Sequence, residues 1–350
     1  MPKSQNNLIR DDLARIYPHF AERLDQLFGK TILITGGCGF FGSWIAELVH
    51  FLNREQKAAI TLYLLDKEID QFIETLPHIQ SDDSITVTQG DTRQIVEIPK
   101  SVNYLIHAAA TPDRRLHASC PTDLMTSIAC GTANVLRKAG NLSKLLMYLN
   151  VSSSSVYDAG KTSALITEQE KGNPPFTTSA SAYSEASRFG EALCAAMRSE
   201  TSMPIATVRP FTFCGAYQNI DAPWFLNSFI KDGVNNRPIC LSGDGKSIRS
   251  LLYGADLAFW MLTILINIKS GETFNVGSDK GMQIKDTADI VAEKMPNSRG
   301  INLNTALIKP EETTSLVPNI TSAKEKFNLD IYTDARLAIS RTIDWYKYSI

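Results

Sequence analysis

30-KTILITGGCGFFG-42 is a short apolar run, rich in β-branched residues, that ends in glycines. It reads as a buried strand entering a tight turn. Gly36, Gly39 and Gly42 stand three apart, and Gly37-x-Gly39-x-x-Gly42 overlaps them. A helix is expected from Gly42 to about Leu52, and a second strand at 60-ITLYLLD-66. Glycines between strand and helix permit a tight turn, close approach of backbone to a pyrophosphate, and close packing of helix on strand. The N-terminus of that helix adds N–H groups and the positive end of a dipole, and Phe40 and Phe41 in the turn are expected to touch the cofactor with Gly36, Gly39 and Gly42.

Asp66 ends the second strand, where a carboxylate can accept hydrogen bonds from both hydroxyls of an adenosine ribose. Strand, glycine turn, helix, strand and acid together point to a dinucleotide. An acid there repels a 2′-phosphate, which favours NAD over NADP, although Lys67 next door pulls the other way.

The same alternation continues. Strands are expected at 85-ITVTQGD-91, 103-NYLIHAAA-110, 145-LLMYLNVSS-153 and 205-IATVRP-210, with helices near 122–139 and 181–199. This predicts an α/β fold, a doubly wound parallel sheet with right-handed crossovers. Residues 8–28 space their apolar positions as one amphipathic helix. The expected organisation is a helical extension over 1–29, a dinucleotide-binding (Rossmann) domain over 30–209, and a smaller substrate-binding lobe over 210–350 whose chain partly returns to the first. The segment 171-KGNPPFTTSAS-181 reads as a loop.

Composition excludes other classes. The chain has 350 residues, 43% hydrophobic and 21% charged, with a formal net charge of −2, which does not suit a nucleic-acid binder. No apolar run is long enough to cross a membrane, and the N-terminus carries acids where a signal peptide would be apolar. The six cysteines form no CxxC pairs and no histidine-rich cluster, so no metal site is expected and a cytoplasmic location is.

The chemistry is expected at 151-VSSSSVY-157, on the C-terminal edge of a strand, and at 183-YSEASRFGE-191, a helix that opens on a tyrosine. With these segments the chain resembles the extended short-chain dehydrogenase/reductases, the nucleotide-sugar epimerase/dehydratase family. The resemblance rests on TGGCGFFG, Asp66, 90-GDTR-93, 106-IHAAAT-111, 131-GTANVL-136, 152-SSSSVY-157, the Tyr183 helix, 208-VRPFTFCG-215, 243-GDGKSIRS-250 and 274-FNVGS-278, in family order over roughly residues 30–345. It implies that Tyr183 is the general acid/base at a sugar hydroxyl and that Ser153 hydrogen-bonds the same oxygen. Asp91 and Thr92 would contact adenine, and Ala108, Ala109 and Ala110 would line the cofactor groove. Arg249 would clamp a substrate diphosphate, with Thr212 and Asn227 also facing the substrate. Relatives often pair as homodimers through the helices near 122–139 and 181–199, with Phe189 and Leu193 as contact candidates.

One residue departs from the pattern. The family helix reads Tyr-x-x-x-Lys, and Ser187 stands at the lysine position. Residues i and i+4 share a helix face, so the lysine would place a cation near the phenol. A tyrosine titrates near ~10, and a nearby cation favours its ionised form. Arg188 is turned about 100° away and does not replace it. Asp158 and Ala216 also depart, standing where relatives usually carry glycine and proline. Dehydrating relatives carry Asp and Glu directly after the Ser/Thr, and decarboxylating ones use the same Glu. Ser154 and Ser155 stand in those places and cannot exchange protons near neutral pH. His107, His117 and Cys214 are the remaining paper candidates for an added base. The expected activity is NAD-dependent hydride transfer on a nucleotide-diphosphate sugar, as a 4-epimerase; the alternatives are a 4-keto-sugar reductase or an impaired binding protein.

Overall fold

The computed structural model describes residues 3–94, 97–110, 113–157, 164–172, 178–304 and 313–347. Six strands follow one another: β1 (Thr31–Thr35), β2 (Thr61–Asp66), β3 (Ile85–Gln89), β4 (Tyr104–His107), β5 (Met147–Val151) and β6 (Ile205–Pro210). Helices lie in every connection except β3 to β4, where the described residues hold only a short turn over Thr92–Gln94. Short strands β7 (Phe213–Cys214), β8 (Ile239–Ser242), β9 (Ile248–Ser250) and β10 (Leu252–Tyr253) precede β11 (Thr273–Val276), which returns to the main sheet. The seven strands pair in parallel in the order β11-β6-β5-β4-β1-β2-β3. This is the expected doubly wound α/β sheet. Order reverses at β1 and β4, and the crevice beyond their C-terminal ends is where such sheets bind ligands. Beyond β11 come β12 (Gly281–Gln283), β13 (Ile301–Asn304) and β14 (Ser315–Leu316).

The longer helices are α1 (Lys3–Ile16), α2 (Phe40–Gln56), α3 (Pro121–Ala139), α4 (Ala182–Thr201), α5 (Phe225–Val234), α6 (Gly254–Asn267), α7 (Ile284–Lys294) and α8 (Ala335–Lys347). Both sheet faces are buried, as the alternation in β1 shows. Ile32 and Ile34 join a core with Trp44 and Leu48 of α2 and Phe259 of α6. Leu33 faces the other way, toward Val135 and Leu136 of α3 and Cys194 of α4.

Three expectations need correction. Residues 8–28 are not one helix: α1 stops at Ile16, and turns over Tyr17–His19, Ala21–Leu24 and Asp25–Leu27 follow. Pro18 explains the break, since its ring clashes with the preceding turn and its nitrogen carries no proton. The apolar pattern still holds, because Leu8, Ile9, Leu13, Ile16, Phe20, Leu24 and Leu27 are all buried. The helix after the glycine turn starts at Phe40, not Gly42, with Gly39 as its N-cap. The fourth strand ends at His107, so Ala108–Ala110 leave the sheet, with the Ala110 N–H donating back to the Ala108 carbonyl. Leu193 packs partly against the α3–α4 core, whereas Phe189 is 51% exposed.

Candidate active site

The glycine turn is shaped by what it touches. Gly36 has φ +71°, and a Cβ there would run into the Ala108 carbonyl, so the turn after β1 lies directly against the chain leaving β4. A Cβ on Gly42 would strike the Gly37 carbonyl, which lets α2 start close to the turn. Gly39, between them, is exposed and offers bare backbone at the helix start. Phe40 and Phe41 follow it, partly buried against Phe213, whose ring lies 5.5 Å from Phe40 and 5.0 Å from Phe41. Gly39 thus leaves the start of α2 without a side chain where a pyrophosphate could approach.

Asp66 projects from the end of β2 toward this turn. Its Oδ2 accepts the Cys38 N–H at 3.0 Å, and Oδ1 accepts the Glu68 N–H at 3.3 Å. Burial raises its pKa, and these backbone N–H groups oppose the rise. Asp91 is held by Arg93 through a forked pair, with Nη2 at 2.6 Å, and that guanidinium keeps its carboxyl below the usual range. Arg93 also reaches Asp123 of α3 at 2.8 Å. Thr92 is buried against Gly131 of the same helix. The glycine turn and Asp66 are thus bonded to each other at the C-terminal ends of β1 and β2, and bare backbone N–H groups beside a carboxylate acceptor fit the pyrophosphate and ribose of a dinucleotide.

At the other end of the cleft, Tyr183 opens α4 and its phenol hydrogen-bonds Ser153. Burial raises the phenol above its ordinary value, and the Ser153 bond only partly counters this. Ser153 also accepts the Ser155 N–H at 3.0 Å, which folds 153–156 into a short helical turn. Ser187 does not reach out: its hydroxyl donates to the Tyr183 carbonyl one turn back, at 2.8 Å. Arg188 is directed elsewhere, donating to the carbonyls of Gly172 at 2.7 Å and Val156 at 3.3 Å. A recess beside Tyr183 is lined by Ala109, Ala110, Thr132, Asn150, Ser152 and Ser187, with His107 behind them. No lysine or arginine is among the described residues that line it.

Two of the three paper candidates for an added base, His107 and Cys214, do not serve. His107 is buried, with Nδ1 2.7 Å from the Thr35 hydroxyl and Nε2 3.0 Å from that of Thr132. Burial pushes its pKa down to about 4, so it is a neutral structural imidazole. Cys214 is fully buried, and burial pushes its thiol up to about 12. The side chain of His117, Thr111 and Asp158 lie outside the described residues.

The three substrate candidates sit beyond β6. Thr212 connects β6 to β7, and its carbonyl accepts the Leu252 N–H. Arg249 lies on β9 and donates to the Thr314 carbonyl at 3.0 Å and hydroxyl at 2.9 Å. Its fork is thus engaged by Thr314, the residue that leads into β14. Asn227 on α5 is buried, its amide donating to the Asn219 carbonyl at 2.8 Å.

A family model, the NAD dependent epimerase/dehydratase family, matches residues 32–277. The chain belongs to that family. The UDP-glucuronate 4-epimerase of Thermodesulfobacterium geofontis is 26% identical, over 91% of this chain and 96% of that one. UDP-glucuronic acid decarboxylase 1 of Arabidopsis thaliana is 24% identical, over 91% and 70%. Among solved structures, the UDP-glucuronic acid 4-epimerase of Bacillus cereus in complex with NAD superposes with a TM-score of 0.78 at 20% identity, covering 91% of this chain and 99% of that one. Family membership makes the chain an enzyme type of the NAD-dependent, nucleotide-sugar-modifying kind.

Within this epimerase/dehydratase chain, sequence reasoning missed a supporting network. Arg209 at the end of β6 forks onto Glu191 of α4 at 2.6 and 2.9 Å, and donates to the Tyr157 hydroxyl at 2.8 Å. Tyr157 in turn donates to Asn275 of β11 at 2.8 Å. The segments carrying these residues were legible as motifs, but nothing in their spacing showed that they meet. The network ties α4, which carries Tyr183, to the sheet and to the serine turn.

Proposed function

We propose that the protein is an NAD-dependent 4-epimerase acting on a nucleotide-diphosphate sugar. The observation that carries this reading is the hydrogen-bonded pair of Tyr183 and Ser153 in a row of hydroxyls, with serine at both positions that follow. Elimination of water or loss of carbon dioxide by the family route calls for a carboxyl group there, and Ser154 and Ser155 have none. Epimerisation needs one group that takes a proton from the C4 hydroxyl and returns it, which Tyr183 provides while Ser153 orients the oxygen. Gly36, Gly39, Phe40, Phe41 and Gly42 would hold the pyrophosphate, Asp66 the adenosine ribose, Asp91 and Thr92 the adenine, and Ala108–Ala110 the groove wall. NAD, when bound, supplies the hydride acceptor and donor, and Asp66 disfavours a 2′-phosphate at that ribose. Arg249, Thr212 and Asn227 are assigned to the substrate.

The names of several relatives include UDP-glucuronate or UDP-glucuronic acid, and a hydroxyl-rich, carboxylate-free site end suits a uronate. UDP-hexuronates are therefore the first substrates to test. A second reading, reduction of a 4-keto sugar, is favoured by the raised phenol, since a reductase uses Tyr183 as proton donor. We also assign a homodimer through α3 and α4, on which Met125 and Phe189 are exposed. The test is incubation with NAD and UDP-glucuronate, UDP-galacturonate, UDP-glucose and UDP-galactose, with the C4 configuration followed by proton NMR. Interconversion of a C4 pair supports the proposal. Unchanged sugars across the panel, with NAD bound tightly, would sink the epimerase and leave the reductase or a binding protein, which NADH oxidation by a 4-keto sugar then separates.

A further inference from the structure

The recess beside Tyr183 holds a polar group that the proposed chemistry does not use. Ser152 lines it, is 8% exposed, and its Oγ meets no hydrogen-bond partner among the described residues. A buried hydroxyl of this kind costs free energy unless something pairs with it. The cavity volume is ≈ 20 Å³, room for a body about the size of one water. Ser187 lines the same space, and because its proton goes to the Tyr183 carbonyl, its remaining lone pair can accept or coordinate.

We propose that this recess binds one monovalent cation of potassium or ammonium size, held by the hydroxyl oxygens of Ser152 and Ser187 beside the Tyr183 phenolate. Its consequence for catalysis rests on the reading of Tyr183 as acid/base; the site itself does not. Both ions match a water molecule in size and take oxygen ligands. No carboxylate is among the described residues that line the recess, so the ion gains a charged partner there only when the phenol ionises. Binding therefore strengthens as pH rises, and by linkage the ion lowers the pH at which Tyr183 loses its proton.

The surrounding groups leave that coupling to Tyr183 alone. His107, from β4, is neutral with both ring nitrogens engaged by threonines. Tyr148 of β5 lies behind it, ring centroids 6.1 Å apart. Helix α3 contributes only Ile128 and Thr132. On α4, Arg188 is turned to the 156 and 172 carbonyls and Glu191 is paired with Arg209. Glu185 faces a different hollow, beside Pro121 and Thr178.

The test reads phenol ionisation directly, from ultraviolet difference spectra of the full-length protein minus its Tyr183→Phe variant. Titrations are run in potassium chloride and in tetramethylammonium chloride at equal ionic strength. Potassium is expected to lower the Tyr183 transition by about one pH unit, or about tenfold more phenolate below it. Ser152→Val, which fills the recess, is expected to abolish the difference, and Ser152→Ala, which only removes the hydroxyl, to reduce it. Superimposed curves in the two salts, or an undiminished potassium shift in Ser152→Val, would overturn the proposal. A potassium shift without turnover of any sugar sustains the site and counts against the epimerase reading. Turnover without the shift does the reverse.

Discussion

Replacing His107 with glutamine should remove an acid sensitivity that the wild-type fold carries. In the folded chain this imidazole titrates at about 4 because it is buried; in an unfolded chain it titrates near ~6.5. The folded state therefore binds the proton less well than the unfolded one. The stabilisation from the depressed pKa is present above about pH 6.5 and is lost as pH falls toward about 4. Integrating between those limits, wild-type protein at about pH 4.5 should have lost about 2.5 kcal/mol relative to about pH 7.5 through this one group. Glutamine keeps groups that can bond the hydroxyls of Thr35 and Thr132 but has no proton to take up. Urea unfolding of both proteins at the two pH values isolates the effect as a double difference, in which the other titrating groups cancel. Equal acid losses in wild type and His107→Gln would refute the assignment of His107 as a buried neutral group behind the recess.

Three further outcomes follow from the same structure. Ser187→Lys places an ammonium one turn from the phenol and should lower the Tyr183 transition by about 1–3 pH units; because the recess is small, it should also cost about 1–3 kcal/mol in thermal or urea unfolding. An unmoved transition would mean that the new side chain points away from the phenol. Gly36→Ala should destabilise the fold by about 1–3 kcal/mol through its positive φ and the clash with Ala108, and should lower NAD affinity measured by calorimetry; a variant as stable as wild type would show that the turn yields. Deleting residues 1–29 exposes the sites of seven side chains, Leu8, Ile9, Leu13, Ile16, Phe20, Leu24 and Leu27, each at most 6% exposed. At about 2 kcal/mol each the loss rivals the whole stability of about 5–15 kcal/mol. The truncated chain should be aggregated or unfolded by circular dichroism, and a cooperative, soluble product would refute this.

Much of the fold was written locally. The β-branched run before Gly36, the glycines that follow and the acid at 66 each obey short-range rules, so strand, turn, helix and cleft edge could be read without coordinates. The alternation of apolar segments likewise implied a parallel sheet buried on both faces, and the Tyr183 helix and its missing lysine were visible in nine residues. Helix α1 was legible as an apolar stripe but not in its length, because Pro18 overrides periodicity.

What needed the tertiary structure was every contact made between distant segments. Only the folded chain shows that Ser187 bonds its own helix, that Arg188 and Arg209 are tied to the serine turn, and that His107 is neutral and caged by Thr35 and Thr132. Burial and hydrogen-bond partners set those protonation states, and both depend on segments far apart in sequence. Residue types and spacings therefore named the chemistry available here, while packing decided which of those groups can carry a charge.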